Sequence, residues 1–547
     1  MSLSLDDVDQ KSNELEEQAV WATELNVDMQ SDLTVRVELV GEKDLHGPIS
    51  TFPVSTPDIA PEIHRRVFST LARIVGGNGV PNVIGVSVKL PRGVDGRNNT
   101  RTAEMAPFLQ SIADSSTIQR FRSSARHFSQ DTARMTGSSG IDATEPTDAV
   151  RLFLAAAVNL ASPQSVLKKL YLHEIHFDNE LLATLCGSLL SRECGVAQFE
   201  LWDCRFPMLG PLWLALAVNQ SILDFYLMSP ECEEEASDDN YGTQELRSML
   251  QTNTTMKELG FSCSNVPFPN SFFTGLGAGL VSNSTLTRLE LSATLDSEEG
   301  YLTALFENGL DCNTGIEKLC LDVNDLSDTQ DVVLGLDQMA KNVSTRRHAD
   351  GSSMVSTLKS LRLSFGLALD LDEVGCVKLV LDCLIHNSTY FALEELSLDG
   401  WGRNPGEDHA GLFVKLAAFI QAFPTATALW IYAGSEADDD SKLLVLADTL
   451  ENNTTMTRLE AGNTHVTGDS CWGSNLSPAD NPNRTRVLCS IVRNRRELPL
   501  FVESSKRSLL PLVLRRLLKP TEFETEKVVN LNHAFHLIQN LPELFSS

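Results

Sequence analysis

The sequence predicts an α/β solenoid, a horseshoe of short strands in one parallel concave sheet, with outer helices and a helical C-terminal cap. Three observations predict it. A short apolar pattern of the form L-x-x-L-x-L recurs along the chain, a Leu-x-x-Asn signature precedes many of its copies, and apolar residues at helical spacing fill the intervals.

The strand pattern is read first. LKKLYL begins at Leu167, followed by VAQFEL at Val196, ILDFYL at Ile222, MKELGF at Met256, LTRLEL at Leu286 and IEKLCL at Ile316. LKSLRL at Leu358, LEELSL at Leu393, ATALWI at Ala426 and MTRLEA at Met456 complete the series. The start-to-start steps are 29, 26, 34, 30, 30, 42, 35, 33 and 30 residues. A unit of that length holds one strand and one helix and cannot bury its apolar face alone, so units must stack.

The register comes from Leu216/Asn219, Leu250/Asn253, Leu280/Asn283, Leu310/Asn313, Leu384/Asn387 and Leu450/Asn453. Upstream of each Asn lie apolar residues at helical spacing, as in Phe272, Leu276 and Leu280, or Leu443, Leu446 and Leu450. Asn tolerates the left-handed conformation that ends a helix, so it is expected there as a helix-exit residue. Sequons such as Asn253-Thr254-Thr255 follow from these exits and are read as structural.

These residues resemble the leucine-rich repeat family, and the helical units of about thirty residues look like its ribonuclease-inhibitor-like subfamily. The family motif continues to Asn or Cys, matched here by Cys204 and Asn324 and departed from at Ile175, Ser264, Thr294 and Trp401. The resemblance implies a fold and no chemistry.

Four regions follow: 1–20, a disordered acidic N-terminus; 21–160, degenerate repeats or an N-terminal cap; 161–466, the repeat array; and 467–547, a linker with a helical C-terminal cap. VIGVSV at Val83 and IQRFRS at Ile118 fit the strand template loosely, and LTVRVEL from Leu33 more weakly. Helical patterns cover 61–75, 102–113, 147–160, 487–494, 508–519 and 529–540.

Composition bounds the function. The 73 acidic against 44 basic side chains give a net charge of −29, opposite to the basic surface that binds nucleic acid. No stretch approaches the length of an apolar membrane span. The N-terminal MSLSLDDVDQ lacks the apolar core of a secretory signal, and the 11 scattered cysteines suit reduced thiols, so the expected compartment is the cytosol or nucleus. His173 and His176 supply two imidazoles and no third metal ligand. Gly76 to Gly79 lacks the Lys-Ser/Thr ending of a phosphate loop, and Asp322 to Asp328 lacks the Gly and Glu of an EF-hand loop. No cofactor, no metal and no enzyme activity are expected. The basic Leu509–Lys519 segment reads as a cap helix.

Strand alternation selects the face expected to bind. Its rows run Lys169, Tyr171, His173; Gln198, Glu200, Trp202; Asp224, Tyr226, Met228; Glu258, Gly260, Ser262; Arg288, Glu290, Ser292. They continue through Lys318, Cys320, Asp322; Ser360, Arg362, Ser364; Glu395, Ser397, Asp399; Ala428, Trp430, Tyr432; and Arg458, Glu460, Gly462. The protein-binding candidates are Tyr171, Glu200, Trp202, Tyr226, Glu290, Arg362, Trp430 and Tyr432, because Trp and Tyr beside charges anchor interfaces. The expected function is an intracellular scaffold that holds a basic or mixed-charge protein partner on this face. The alternative is a regulator of an enzyme, a GTPase activator or a ubiquitin-ligase substrate adaptor, on the same repeats.

Overall fold

The computed structural model describes residues 5–19, 22, 24–29, 35–40, 46–52, 60–75, 83, 85–90, 107–108, 110–112, 115, 117–125, 167–190, 194–232, 238–263, 268–292, 300–323, 326–345, 355–365, 373–399, 409–431, 440–461, 464–466, 487 and 490. The helical patterns at 147–160 and 529–540, the basic Leu509–Lys519 segment and Tyr432 lie outside them. Two compact units are formed, Met1–Glu290 and Leu291–Ser547.

In the first unit the chain opens with helix α1 (Leu5–Ala19), strands β1 (Glu24–Met29), β2 (Val35–Val40) and β3 (His46–Phe52), and helix α2 (Ala60–Val75). The helix α1 corrects the expectation of disorder for the acidic N-terminus. Val8, Ser12, Leu15 and Ala19 recur along one helical face and are buried. The acidic side chains that suggested disorder lie outside that face, where Asp9 pairs with Arg66 and Glu16 with Arg73 of α2.

Strands β4 (Gly85–Leu90), β5 (Arg120–Ala125), β6 (Lys169–His173), β7 (Gln198–Trp202), β9 (Asp224–Met228) and β11 (Glu258–Ser262) pair in parallel, with β1 joined parallel to β4. Strands β2 and β3 instead run antiparallel, β2 on β1 and β3 on β2. This corrects the weak repeat reading of LTVRVEL. Only residues 30–34 separate β1 from β2, which suffices for a hairpin and is far too short for a parallel crossover.

Helices α3 (Asn179–Leu190), α4 (Gly210–Val218), α5 (Thr243–Thr252) and α6 (Asn270–Leu280) follow successive strands of this unit, and α4 packs on α5 and α5 on α6. The inward strand residues Phe199, Phe225 and Phe261 are buried, and Trp213 of α4 meets Phe225 and Phe261 edge-on, with centroids 5.9 and 6.0 Å away. The indole N–H of Trp213 donates to the Tyr241 carbonyl at 2.8 Å, so its burial leaves no orphan donor. Short strand pairs flank the main strands: β8 (Arg205–Phe206) with β10 (Glu231–Cys232). Strand β12 (Arg288–Ser292) contains the division between the units.

In the second unit β13 (Lys318–Val323), β14 (Ser360–Phe365), β15 (Glu395–Asp399), β16 (Ala428–Ile431) and β17 (Arg458–Ala461) are parallel neighbours, and β18 (Thr464–Val466) returns antiparallel. Their helices are α7 (Tyr301–Glu307), α8 (Leu326–Thr345), α9 (Glu373–His386), α10 (His409–Ala422) and α11 (Asp440–Asn452). Among the described residues no helix is long and apolar enough to cross a membrane.

The Asn residues at the helix exits work differently from the expectation. Asn219, Asn253 and Asn313 have φ/ψ of −66/137, −73/124 and −66/143, which is extended backbone. The residue is required for its side chain. In Asn253, Oδ1 accepts from the Thr255 and Met256 N–H groups at 2.9 and 2.8 Å, while Nδ2 donates to the Leu216 carbonyl of the previous helix at 2.7 Å. Asn219 and Asn283 repeat the pattern, reaching Leu189 and Leu250. One amide thus closes its own turn and caps the last turn of the preceding helix, whose carbonyls otherwise lack partners. Asn387 departs from this: its Nδ2 donates to Asp337 Oδ1 at 2.8 Å and to its own helix at Cys383. The insertion ahead of Leu393 moves the strand out of reach.

Candidate functional site

Strands β6, β7 and β9 bury alternate residues and present every second side chain on the opposite side. β6 and β9 read half-exposed, buried, half-exposed, buried, half-exposed, and β7 differs only in leaving Trp202 exposed. The parallel register then sets side chains in cross-strand rows: Lys169, Gln198, Asp224 and Glu258 in one; Tyr171, Glu200, Tyr226 and Gly260 in the next; His173, Trp202, Met228 and Ser262 in the third.

Of the eight candidates, Tyr171, Glu200, Trp202 and Tyr226 are brought together by β6, β7 and β9. Glu200 organises two of its neighbours. Its Oε1 accepts from Gln198 Nε2 at 2.7 Å and its Oε2 from Trp202 Nε1 at 2.9 Å, so the indole is fixed by its own polar edge and its remaining surface stays 40% exposed. Tyr226 is fixed twice. Its hydroxyl donates to Glu258 Oε2 at 2.8 Å, and its ring packs against Gly260, where an added Cβ would come within 2.2 Å of Tyr226 Cδ1. Gly260, expected to be a presented residue, is buried because the ring covers it.

Glu290 belongs to the same network one strand on. Arg288 donates to Glu290 Oε2 at 2.8 Å and reaches Glu258 Oε2 at 3.4 Å. Sequence reasoning did not single out Glu258 or Asp224, both of which prove central. Asp224 stands directly opposite Glu258 on β11 and Gln198 on β7. Like charges facing across strands are unfavourable, and the Asp224 carboxyl is accordingly held above the usual carboxylate range, first by burial and then by the Glu258 charge. The phenols shift the same way: burial and then Glu200 raise Tyr171, and burial and then the hydrogen bond to Glu258 raise Tyr226. The signal that could have found Asp224 is the strand register, which sequence spacing gives only once the strand starts are fixed.

A rim borders the face. Directly after β6, β7 and β9 stand Glu174, Asp203 and Ser229, all left-handed with φ of 55, 50 and 49°. Left-handed backbone is uncommon for residues other than glycine, and three in corresponding positions mark a shared bend. It turns the chain inward so that Ile175 and Cys204 are buried. His173, the last residue of β6, is held by Asp203: its Nε2 lies 2.9 Å from Asp203 Oδ2. Burial pushes the Cys204 thiol to about 12, so it stays a thiol at neutral pH. Among the described residues no cluster of three or more His, Cys, Asp or Glu is arranged to hold a metal.

The remaining candidates sit in the second unit. Arg362 on β14 donates through Nε to Asp399 Oδ2 at 2.8 Å, and Asp399 also accepts from Ser397 at 3.0 Å. Trp430 on β16 lies between Ser397 and Glu460 in register. Ala428, placed on the same presented side, is buried.

No protein-family model matches the chain, and no curated protein does. A solved structural-genomics protein from Bacteroides fragilis overlaps 67% of this chain and 90% of its own at 7% identity, with a TM-score of 0.28. That overlap fixes neither family nor activity.

Proposed function

We propose that this chain is a non-enzymatic leucine-rich-repeat scaffold of the ribonuclease-inhibitor-like type, and that it docks a partner protein on the presented sheet face of its first unit. One observation carries the reading: Trp202 and Tyr226 are large, half-exposed rings locked by hydrogen bonds to Glu200 and Glu258. A ring held in place before binding loses little side-chain entropy when a partner covers it, which is the property of an interface anchor. The length of the face favours a macromolecule. Four strands from β6 to β11, at about 4.8 Å each, give a surface wider than a small ligand needs.

Affinity capture from cell lysate tests the reading, comparing the wild type with Trp202→Ala/Tyr226→Ala. The double variant is expected to lose the captured partner while melting within a few degrees of wild type. Recovery of the same partner at the same yield would contradict it.

A further inference from the structure

Charge on the presented face of the first unit is balanced, and hydrogen bonding on it is not. Arg120, Arg122, Lys169 and Arg288 match Glu200, Asp224, Glu258 and Glu290 in number. Arg120 and Arg122 of β5 stand in register with Lys169 and Tyr171 of β6. Arg120 is taken up by Glu24 of β1 at 2.8 Å, and Arg288 by Glu258 and Glu290. Glu200 accepts from Gln198 and Trp202, and Glu258 also accepts from Tyr226. Among the described residues, the exposed Arg122, the half-exposed Lys169 and the Tyr171 hydroxyl have no hydrogen-bond or ion-pair partner. Of these four carboxylates, Asp224 alone accepts no bond among the described residues. Donors in want of acceptors therefore outnumber acceptors in want of donors, and they gather on β5 and β6.

Arg122 lies directly across from Tyr171, and Lys169 precedes Tyr171 by two residues on the same side of β6. Arg122 and Lys169 are thus diagonal neighbours, about 7–8 Å apart at the backbone and within reach of two long side chains meeting on one group. Tyr171 stands at the border, between the Glu200 charge and the Arg120 and Arg122 charges. A partner that covers this face strips water from the three donors, and charged donors left unpaired beneath it cost affinity. Resting on the docking reading above, we propose that the partner's covering segment carries an Asp or Glu whose carboxylate seats between Arg122 and Lys169, beside the Tyr171 hydroxyl. There it gains charge-assisted hydrogen bonds from both cations. Glu200 and Asp224 stand one and two strands away from β6. A doubly charged phosphate would meet twice the repulsion from them that a carboxylate meets, which selects the single charge. From this seat the segment runs across the strands to Trp202 and Tyr226.

The test uses the full chain and a fluorescent Gly-Ser-Glu-Glu-Gly-Ser peptide, with counterparts in which the two Glu are replaced by Gln or by phosphoserine. Anisotropy is read at physiological ionic strength, where the distant charges of the chain are screened. The wild type is expected to bind the Glu peptide at least fivefold more tightly than either counterpart. Arg122→Gln/Lys169→Gln is expected to weaken that binding at least tenfold. The control Arg247→Gln/Lys341→Gln removes the same formal charge from exposed helix positions and is expected to change binding less than twofold.

Equal losses in both variants would overturn the proposal, since overall charge and not this seat would then govern binding. No preference of the wild type for Glu over Gln would overturn it too, and tighter binding of the phosphoserine peptide would overturn the carboxylate. The docking reading is judged separately: loss of the captured partner in Trp202→Ala/Tyr226→Ala together with no preference for the Glu peptide leaves the face and removes its acidic contact. A Glu preference that Arg122→Gln/Lys169→Gln abolishes, with capture unchanged in the ring variant, would do the reverse.

Discussion

The sheet faces of the two units share one alternation of buried and presented residues and differ in what the presented half does. On the first unit, Glu200 and Glu258 each hold an aromatic ring in place, and Asp224 stands opposite Glu258 in register. On the second, Arg362 is taken up by Asp399, which Ser397 also serves, and Ser292 donates to Asp322. These charges of the second face are met from within it. The first uses two of its carboxylates to hold rings. Parallel strands built on one short motif therefore differ in surface through their presented positions.

The helix exits offer a second comparison, regular Asn253 against irregular Asn387, and they give the largest expected effect. Asn253→Ala strips partners from the N–H groups of Thr255 and Met256 and from the Leu216 carbonyl. Several buried backbone groups left unpaired, at about 1–3 kcal/mol each, should cost about 3–5 kcal/mol in a denaturant melt. Asn387→Ala removes bonds to Asp337 and its own helix and should cost about 1 kcal/mol. Equal costs at the two positions would dissolve the distinction drawn between a regular and an irregular exit.

Next in size is Gly260→Ala, which forces the Tyr226 ring off its seat. A loss of about 1–3 kcal/mol is expected, as for other overpacked sites, together with weakened partner capture. A stable variant with capture intact would show that the ring's position does not matter.

Arg362→Ala on the second unit should change stability by less than about 1 kcal/mol, because the Arg362–Asp399 pair is largely exposed. It should leave capture unchanged, and a lost partner there would shift the interface to the wrong unit.

Smallest is the effect of Asp224→Asn on folding. The folded protein raises the Asp224 carboxyl pKa, so the ionised form is the disfavoured one and stability improves as pH falls through the raised value. The variant should therefore equal or slightly exceed wild type in thermal midpoint at neutral pH. Its advantage should vanish in acid, once the wild-type carboxyl is protonated. A variant less stable than wild type at neutral pH would mean that Asp224 is satisfied within its own fold.

The sequence carried the strand positions well, because a period of two assigns each residue of L-x-L to one side and the repeat spacing fixes where each strand starts. Presented residues such as Tyr171, Glu200 and Trp202 could be read off directly. Other features depended on what the period leaves out. Asp224 became notable only through its cross-strand neighbours. Gly260 was hidden by a ring from the adjacent strand. The acidic α1 looked disordered because its charges outnumber its apolar residues, yet Val8, Leu15 and Ala19 share one face. The Asn positions were found for a reason the backbone angles correct: hydrogen-bonding capacity selects Asn there, with no left-handed turn.

Carboxyl footprinting reads the central claim most directly. The protein is labelled with a carbodiimide and an amine, with and without its captured partner, and each carboxylate is quantified by mass spectrometry. The account predicts that Asp224, Glu258 and Glu200 lose label when the partner is present, while Asp399 and Glu451 keep theirs. Uniform protection of all five, or protection confined to Asp399 and Glu451, would contradict it.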